Sequence, residues 1–135
     1  MEVALGLIRQ GDDFVLQKRP NDPDIGAAGL IGCFGGKVES GEHANKAMTV
    51  AREVGEESTL ITQPEDWTFV CDFPVYSDYR REVVEVRAHI FAIVIESHIT
   101  VEAREGEIVR AKVSELDEYL DRMTPATQEL ARRII

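Results

Sequence analysis

The chain has 135 residues, the size of one compact domain, and at that length a single hydrophobic core forms without disulfides or structural metal. Its formal net charge of −10 excludes broad adhesion to a nucleic-acid backbone, which needs clustered Lys and Arg. A small phosphorylated ligand stays compatible with that acidity, because divalent cations sit between carboxylates and phosphates and reverse the local electrostatics.

No apolar run approaches the roughly 18 residues of a membrane span, and no charged-then-apolar leader opens the chain, so a soluble, cytoplasmic protein without membrane partners is expected. Cys33 and Cys71 match no zinc spacing and read as small core residues in a reducing compartment. In chain order, residues 3–9 and 14–18 are short β-prone runs separated by Gln10, Gly11, Asp12 and Asp13, the pattern of a hairpin. Residues 21–29 contain Pro23, Gly26 and Gly29 and read as a loop able to border a substrate site. Residues 46–58 carry Ala47, Val50, Ala51 and Val54 at helical spacing, with Asn45 available as N-cap.

Residues 67–76 and 82–95, rich in aromatic and β-branched side chains, predict a long antiparallel pair joined through the polar residues 77–81. A last strand is expected over 107–113, then helices over 114–120 and 125–135, the second with Thr124 as N-cap and Pro125 at its first position. The order ββ, loop, α, ββ, β, αα, without repeat or linker, predicts the α+β class: a mixed β-sheet packed between helices, in a single domain over 1–135.

Chemistry concentrates in Gly35-Gly36-Lys37-Val38-Glu39-Ser40-Gly41-Glu42 and, nine residues on, Arg52-Glu53-Val54-Gly55-Glu56-Glu57-Ser58-Thr59-Leu60. Positions i, i+3 and i+4 share a helix face, so Glu53, Glu56 and Glu57 are expected to project together while Val54 points to the core. Three clustered carboxylates repel one another unless a hard, oxygen-preferring cation such as Mg²⁺ or Mn²⁺ binds there. Arg52, one turn from Glu56, is placed to fix a carboxylate rotamer, and the upstream glycines let backbone approach a metal or phosphate. On its own a Glu-rich helix face is commonly just solvated surface; the glycine segment ahead of it turns the pattern toward chemistry.

This segment resembles the Nudix (MutT-like) box: Gly, five residues, Glu, seven residues, Arg-Glu, an aliphatic, any residue, Glu-Glu, any residue, Gly and an aliphatic. Gly36, Glu42, Arg52, Glu53, Val54, Glu56, Glu57 and Leu60 fit eight of the nine specified positions, within residues 36–60. The element order is likewise similar to the Nudix α/β/α sandwich, and the run from Phe14 to Arg19 resembles the strand ending in Arg that precedes the box. The resemblance implies a Nudix pyrophosphohydrolase using Mg²⁺ or Mn²⁺, with Glu53, Glu56, Glu57 and the Gly36 carbonyl on the metal. It implies an outer glutamate, for which Glu105 and Glu107 in the loop before the last strand are the candidates. Glu53 is the first choice for the base that takes the attacking water's proton and Glu105 the second.

Arg19 and Lys37 are candidate phosphate contacts, and Phe34, Phe73, Tyr76 and Tyr79 are candidates for stacking on a base. Two departures stand out: nine residues instead of seven between Glu42 and Arg52, with His43-Ala44 as the extra pair, and Thr59 in place of Gly. The first puts the placement of Glu42 in question and the second requires a different turn after the helix.

The run Phe34-Gly35-Gly36-Lys37-Val38 is similar to that of the oxidised-purine nucleoside triphosphatase branch. This favours hydrolysis of a nucleoside triphosphate, oxidised or not, to NMP and pyrophosphate, although Leu30-Ile31-Gly32 stands where that branch has Trp-Asn. ADP-ribose or a nucleotide sugar remains an open alternative. A non-catalytic nucleotide-binding Nudix module is a second, disfavoured because such modules usually lack box glutamates that are all present here. A calcium-binding structural domain lacks an EF-hand loop. His89 and His98 have no neighbours at metal-ligand spacing and read as structural, Cys33 has no His partner for covalent catalysis, and homodimerisation through the apolar run 82–95 stays open.

Overall fold

The structure is a computed structural model that describes residues 1–22, 27–79 and 81–135; Pro23 and Gly26 of the expected loop and the side chain of Tyr79 lie outside the described residues. The elements are β1 (Glu2–Gln10), β2 (Asp13–Lys18), β3 (Ile31–Gly32), β4 (Phe34–Lys37), α1 (Ala47–Glu57), β5 (Thr68–Tyr79), β6 (Glu82–Val94), β7 (Glu107–Lys112) and α2 (Pro125–Ile134). Among the described residues these seven strands make one mixed sheet in the order β3-β2-β1-β6-β5, with β4 added on β1 and β7 on β2. β1 runs parallel to β6 over residues 2–9, and it gives residues 3–6 to β4 and residues 8–10 to β2 in antiparallel pairing. One strand therefore carries three partners.

Alternation along the strands builds two cores. Ala4, Ile8, Val15 and Phe34 point to the side covered by α1, where they meet Ala47, Val50, Val54 and Trp67. Phe14, Leu16, Phe73, Ala88 and Ile90 point to the other, where they meet Leu116, Met123, Leu130 and Ala131. The arrangement is the expected α+β sandwich of a mixed sheet between helical layers.

Several expectations are corrected. The sequence missed β3 and β4, because a two-residue strand and the run Phe34-Gly35-Gly36-Lys37 are too short and glycine-rich to show alternation. The segment expected as a helix over 114–120 is a 3₁₀ run, Val113–Arg122. Asn45 does not cap α1 with its side chain: the helix starts at Ala47 after Lys46, and only the Asn45 carbonyl takes part, accepting from Met48 N at 3.0 Å. β5 extends to Tyr79, so the polar connection to β6 is shorter than 77–81. Thr124 caps α2 as expected, accepting from Thr127 N at 3.4 Å.

Gly6 on β1 lies under both Trp67 and Val50, and a Cβ there would stand 2.8 Å from each side chain. Gly6→Ala therefore overpacks the α1-side core and is expected to lower stability by about 1–3 kcal/mol, read as a lower urea midpoint. An unchanged midpoint would mean that the indole and the valine move aside freely.

Candidate functional site

The site is built where the C-terminal half of α1 crosses β4. Gly35 has φ of +145° and its missing Cβ would run into the Ala4 carbonyl, so only glycine lets β4 lie this close to β1. Its N–H donates to Glu57 Oε1 at 3.0 Å. At Gly36 a Cβ would stand 2.6 Å from the Glu53 carboxylate, so the space of an absent side chain is filled by that carboxylate. Two adjacent glycines thus seat two glutamates one helical turn apart.

Glu53, Glu56 and Glu57 do not project together to solvent as the spacing suggested. Glu57 is 7% exposed and turned onto Gly35, the Glu53 side chain is 18% exposed, and that of Glu56 is 58% exposed. The helix packs its Glu53 and Glu57 face against β4, so i and i+4 go inward and i+3 stays on the rim. Burial pushes the Glu57 carboxyl up to about 8 against the opposing Gly35 N–H, with the Glu53 and Glu105 charges adding to the rise. Burial also raises the Glu53 carboxyl, with Arg52 opposing it.

Arg52 was expected to fix a carboxylate, and its main partner is Glu42 rather than Glu56. Its Nε donates to Glu42 Oε2 at 3.0 Å and its Nη2 to Glu42 Oε1 at 3.1 Å, a two-pronged pair. Nη1 donates to Glu53 Oε1 at 2.9 Å, with Glu56 Oε1 farther away at 3.5 Å. Glu42 also accepts from Glu39 N at 3.0 Å and from the Thr49 hydroxyl at 2.9 Å. The lengthened loop therefore does deliver Glu42 to the helix, and the register of α1 survives the two extra residues. Hydrogen bonding from Arg52 holds the Glu42 carboxyl down at about 2.

The end of α1 positions a further glutamate. Ser58 leaves the helix extended, at φ −147° and ψ 175°, and Thr59 needs no left-handed turn. Thr59 N donates to Glu102 O at 2.9 Å, and its hydroxyl accepts from Glu102 N at 2.9 Å. This docks residues 102–105 on the helix end, where Arg104 N donates to Glu57 O at 2.8 Å. The Glu105 carbonyl accepts from the buried Gln17 amide at 3.0 Å, so Glu105 is held near enough to raise Glu57. Glu107 is instead the exposed first residue of β7, opposite Lys18.

On its other side the glycine pair lines a cleft of about 240 Å³ with Val3, Leu5, Val75, Val86 and Ala126. Arg19 and Lys37, the candidate phosphate contacts, line this cleft. Phe34 is not: it is fully buried in the α1-side core and has no surface for a ligand. Phe73 is likewise core and Tyr76 is exposed. Cys33 is buried, with its thiol pushed up to about 12 by desolvation, which makes it a poor nucleophile. His89 does have a carboxylate partner, Glu2, at 3.0 Å; their separation in sequence hid the pair.

Among the described residues no three His, Cys, Asp or Glu side chains are already gathered as a metal cage. The donor chemistry nonetheless suits a hard divalent cation: Glu57 is buried with the Glu53 and Glu105 charges near it, and a bound cation would offset their repulsion.

A model of the NUDIX domain matches residues 2–134. The chain belongs to the NUDIX family. No curated protein sequence matches it. Among solved structures, a MutT structure from work on Aliivibrio salmonicida and Vibrio cholerae superposes with a TM-score of 0.72 at 20% identity, covering 99% of this chain and 95% of that one. The NUDIX domain of Shewanella oneidensis NrtR complexed with ADP ribose gives 0.72 at 14% identity, over 98% of this chain and 84% of that one. A Francisella tularensis bifunctional NMN adenylyltransferase/ADP ribose pyrophosphatase, complexed with AMP and a Mn ion, gives 0.72 at 17% identity over 98% of this chain; this NUDIX chain spans 40% of that protein's length. At these identities the likeness is one of fold. Among the described residues no helix is long and apolar enough to cross a membrane.

Glu42→Gln leaves the partly buried Arg52 guanidinium facing an amide and is expected to cost about 1–3 kcal/mol of stability at neutral pH. A depressed carboxyl stabilises the fold fully above its unfolded value of 4.5 and loses that contribution as pH falls toward about 2. The gap between wild type and Glu42→Gln should therefore close over that interval in denaturant titrations. A gap that widens as pH falls would contradict the pairing.

Proposed function

We propose that this NUDIX chain is a divalent-cation-dependent pyrophosphohydrolase whose substrate is a nucleoside triphosphate, oxidised or not, cleaved to NMP and pyrophosphate. The observation that carries the reading is the seating of the Glu53 and Glu57 carboxylates on a two-glycine strand whose other side lines an apolar cleft. Mg²⁺, or Mn²⁺, is the group the site would take, on Glu53, Glu56, Glu57 and the Gly36 carbonyl. When bound it neutralises the diphosphate and acidifies a water.

The chain's own residues do the rest. The cleft takes the nucleoside end; at about 240 Å³ it is smaller than the roughly 300–1,000 Å³ of pockets that enclose a whole ligand, which leaves the phosphates outside. The run Phe34-Gly35-Gly36-Lys37-Val38 supports a nucleoside triphosphate over ADP-ribose. Arg19 and Lys37, at the cleft, face the phosphates. Water attacks phosphorus in line, the bond to the bridging oxygen breaks, pyrophosphate leaves, and Glu53 receives the water's proton. Arg52 fixes its rotamer. Glu105 is the second candidate for the base.

Turnover against nucleoside triphosphates, oxidised purine triphosphates, ADP-ribose and nucleotide sugars, with Mg²⁺ and with EDTA, tests the reading. Metal-dependent release of pyrophosphate from a triphosphate is expected; cleavage of ADP-ribose alone would replace the substrate, and no turnover with any compound would favour a nucleotide-binding module. Glu53→Gln should lower kcat by about 10²–10⁴-fold. Gly36→Ala is a sharper probe. The three atoms nearest its Cβ all belong to the Glu53 carboxylate, which must shift against its Arg52 bond, so stability should change by about 1 kcal/mol or less while kcat falls by about 10-fold or more. Full activity in Gly36→Ala would remove Glu53 from the mechanism.

A further inference from the structure

Residues 38–46 join β4 to α1 and contain His43 and Ala44. They fold as two successive turns, with Glu42 N donating to Glu39 O at 3.0 Å and Asn45 N to Glu42 O at 3.1 Å. The first turn delivers Glu42 to Arg52. The second holds His43 and Ala44, and each residue of a longer loop brings conformations that must be lost when the loop is ordered.

That second turn has a fixed point outside itself. His43 Nδ1 lies 2.9 Å from Glu2 Oε2, and the other oxygen of the same carboxylate lies 3.0 Å from His89 Nε2 on β6. The far end of this bridge is itself braced, since His89 Nδ1 is 4.0 Å from Asp72, which pairs with Arg87. Glu2 grips both parts of the loop: its carbonyl accepts from Val38 N at 3.0 Å where the loop begins, and its carboxylate holds His43 in the second turn. The Lys46 ammonium closes the turn by donating to the His43 carbonyl at 2.8 Å. The His43 side chain is 57% exposed and fills no core space, so the fold does not depend on it.

We propose that His43, bridged through Glu2 to His89, is a positioning residue: it fixes the lengthened loop on the sheet so that Glu42 meets Arg52 and Arg52 in turn holds the Glu53 carboxylate over Gly36. The kinetic part of this inference rests on the hydrolase reading; the geometric part does not.

The test compares wild type, His43→Ala and His43→Gln, whose amide can still donate to Glu2. Two readouts are taken: kcat and KM on the substrate found in the turnover panel, and the Arg52 Nε–H signal in ¹⁵N–¹H spectra, which reports its bond to Glu42. His43→Ala should lower kcat about 10-fold with KM within about twofold and an unchanged unfolding midpoint, and its Arg52 signal should exchange faster with water. His43→Gln should recover most of both. Wild-type kcat and an unaltered Arg52 signal in His43→Ala would overturn the proposal, as would equal losses in the two variants. Absence of turnover in the wild type would count against the hydrolase reading alone, and the Arg52 signal would then decide the positioning role: lost in His43→Ala and restored in His43→Gln supports it, unchanged in both sinks it.

Discussion

The guanidinium of Arg52 organises the acidic end of this molecule. A planar fork with five donors can serve several carboxylates at fixed angles, which a lysine ammonium cannot. Here Nε and Nη2 take both oxygens of Glu42, Nη1 takes Glu53, and Nη2 also donates to the Lys37 carbonyl at 3.3 Å. Helix, loop and strand are therefore tied at one atom group. Position relative to it sorts the glutamates: Glu42, which takes two of its prongs, is held ionised, Glu53 takes one and is raised by burial against it, and Glu57, farther along the inner helix face, has the Gly35 N–H instead.

Backbone shape matters as much as charge. Two glycines in β4 remove the side chains that would otherwise separate helix, sheet and cleft, so the Glu53 and Glu57 carboxylates sit directly on a strand that also forms a cleft wall. The segment docked on the end of α1 then brings Glu105 to the same place. Three chain regions converge without a long lid or a second domain among the described residues.

Much of this was legible in the sequence. The Gly36 to Leu60 pattern, the helix from the spacing of Ala47, Val50 and Val54, the long β5–β6 pair and the Thr124 cap all follow from local periodicity and spacing. What was not legible depends on distance in the chain. Helical spacing places Glu53, Glu56 and Glu57 near one another but cannot say which side meets a strand, so the division between buried Glu57 and exposed Glu56 was hidden. Phe34 was a candidate for stacking as an aromatic beside the glycine pair, yet its place on β4 sends it into the core. The partners of Glu2 lie in the loop before α1 and on β6, and no local pattern links them.

The three-partner role of β1 has a consequence for how the chain acquires its structure. Its parallel pairing sets Glu2 opposite Arg87 and Arg9 opposite Val94, so the first strand waits for a partner made much later. Closing so large a loop costs entropy before any ladder bond forms, and chains dominated by such contacts fold slowly. During synthesis β1 can meet β2 and β4 early, but its remaining edge stays open until β6 has emerged. In that interval an exposed strand edge is available to other chains, and this is the stage at which the protein is most open to aggregation.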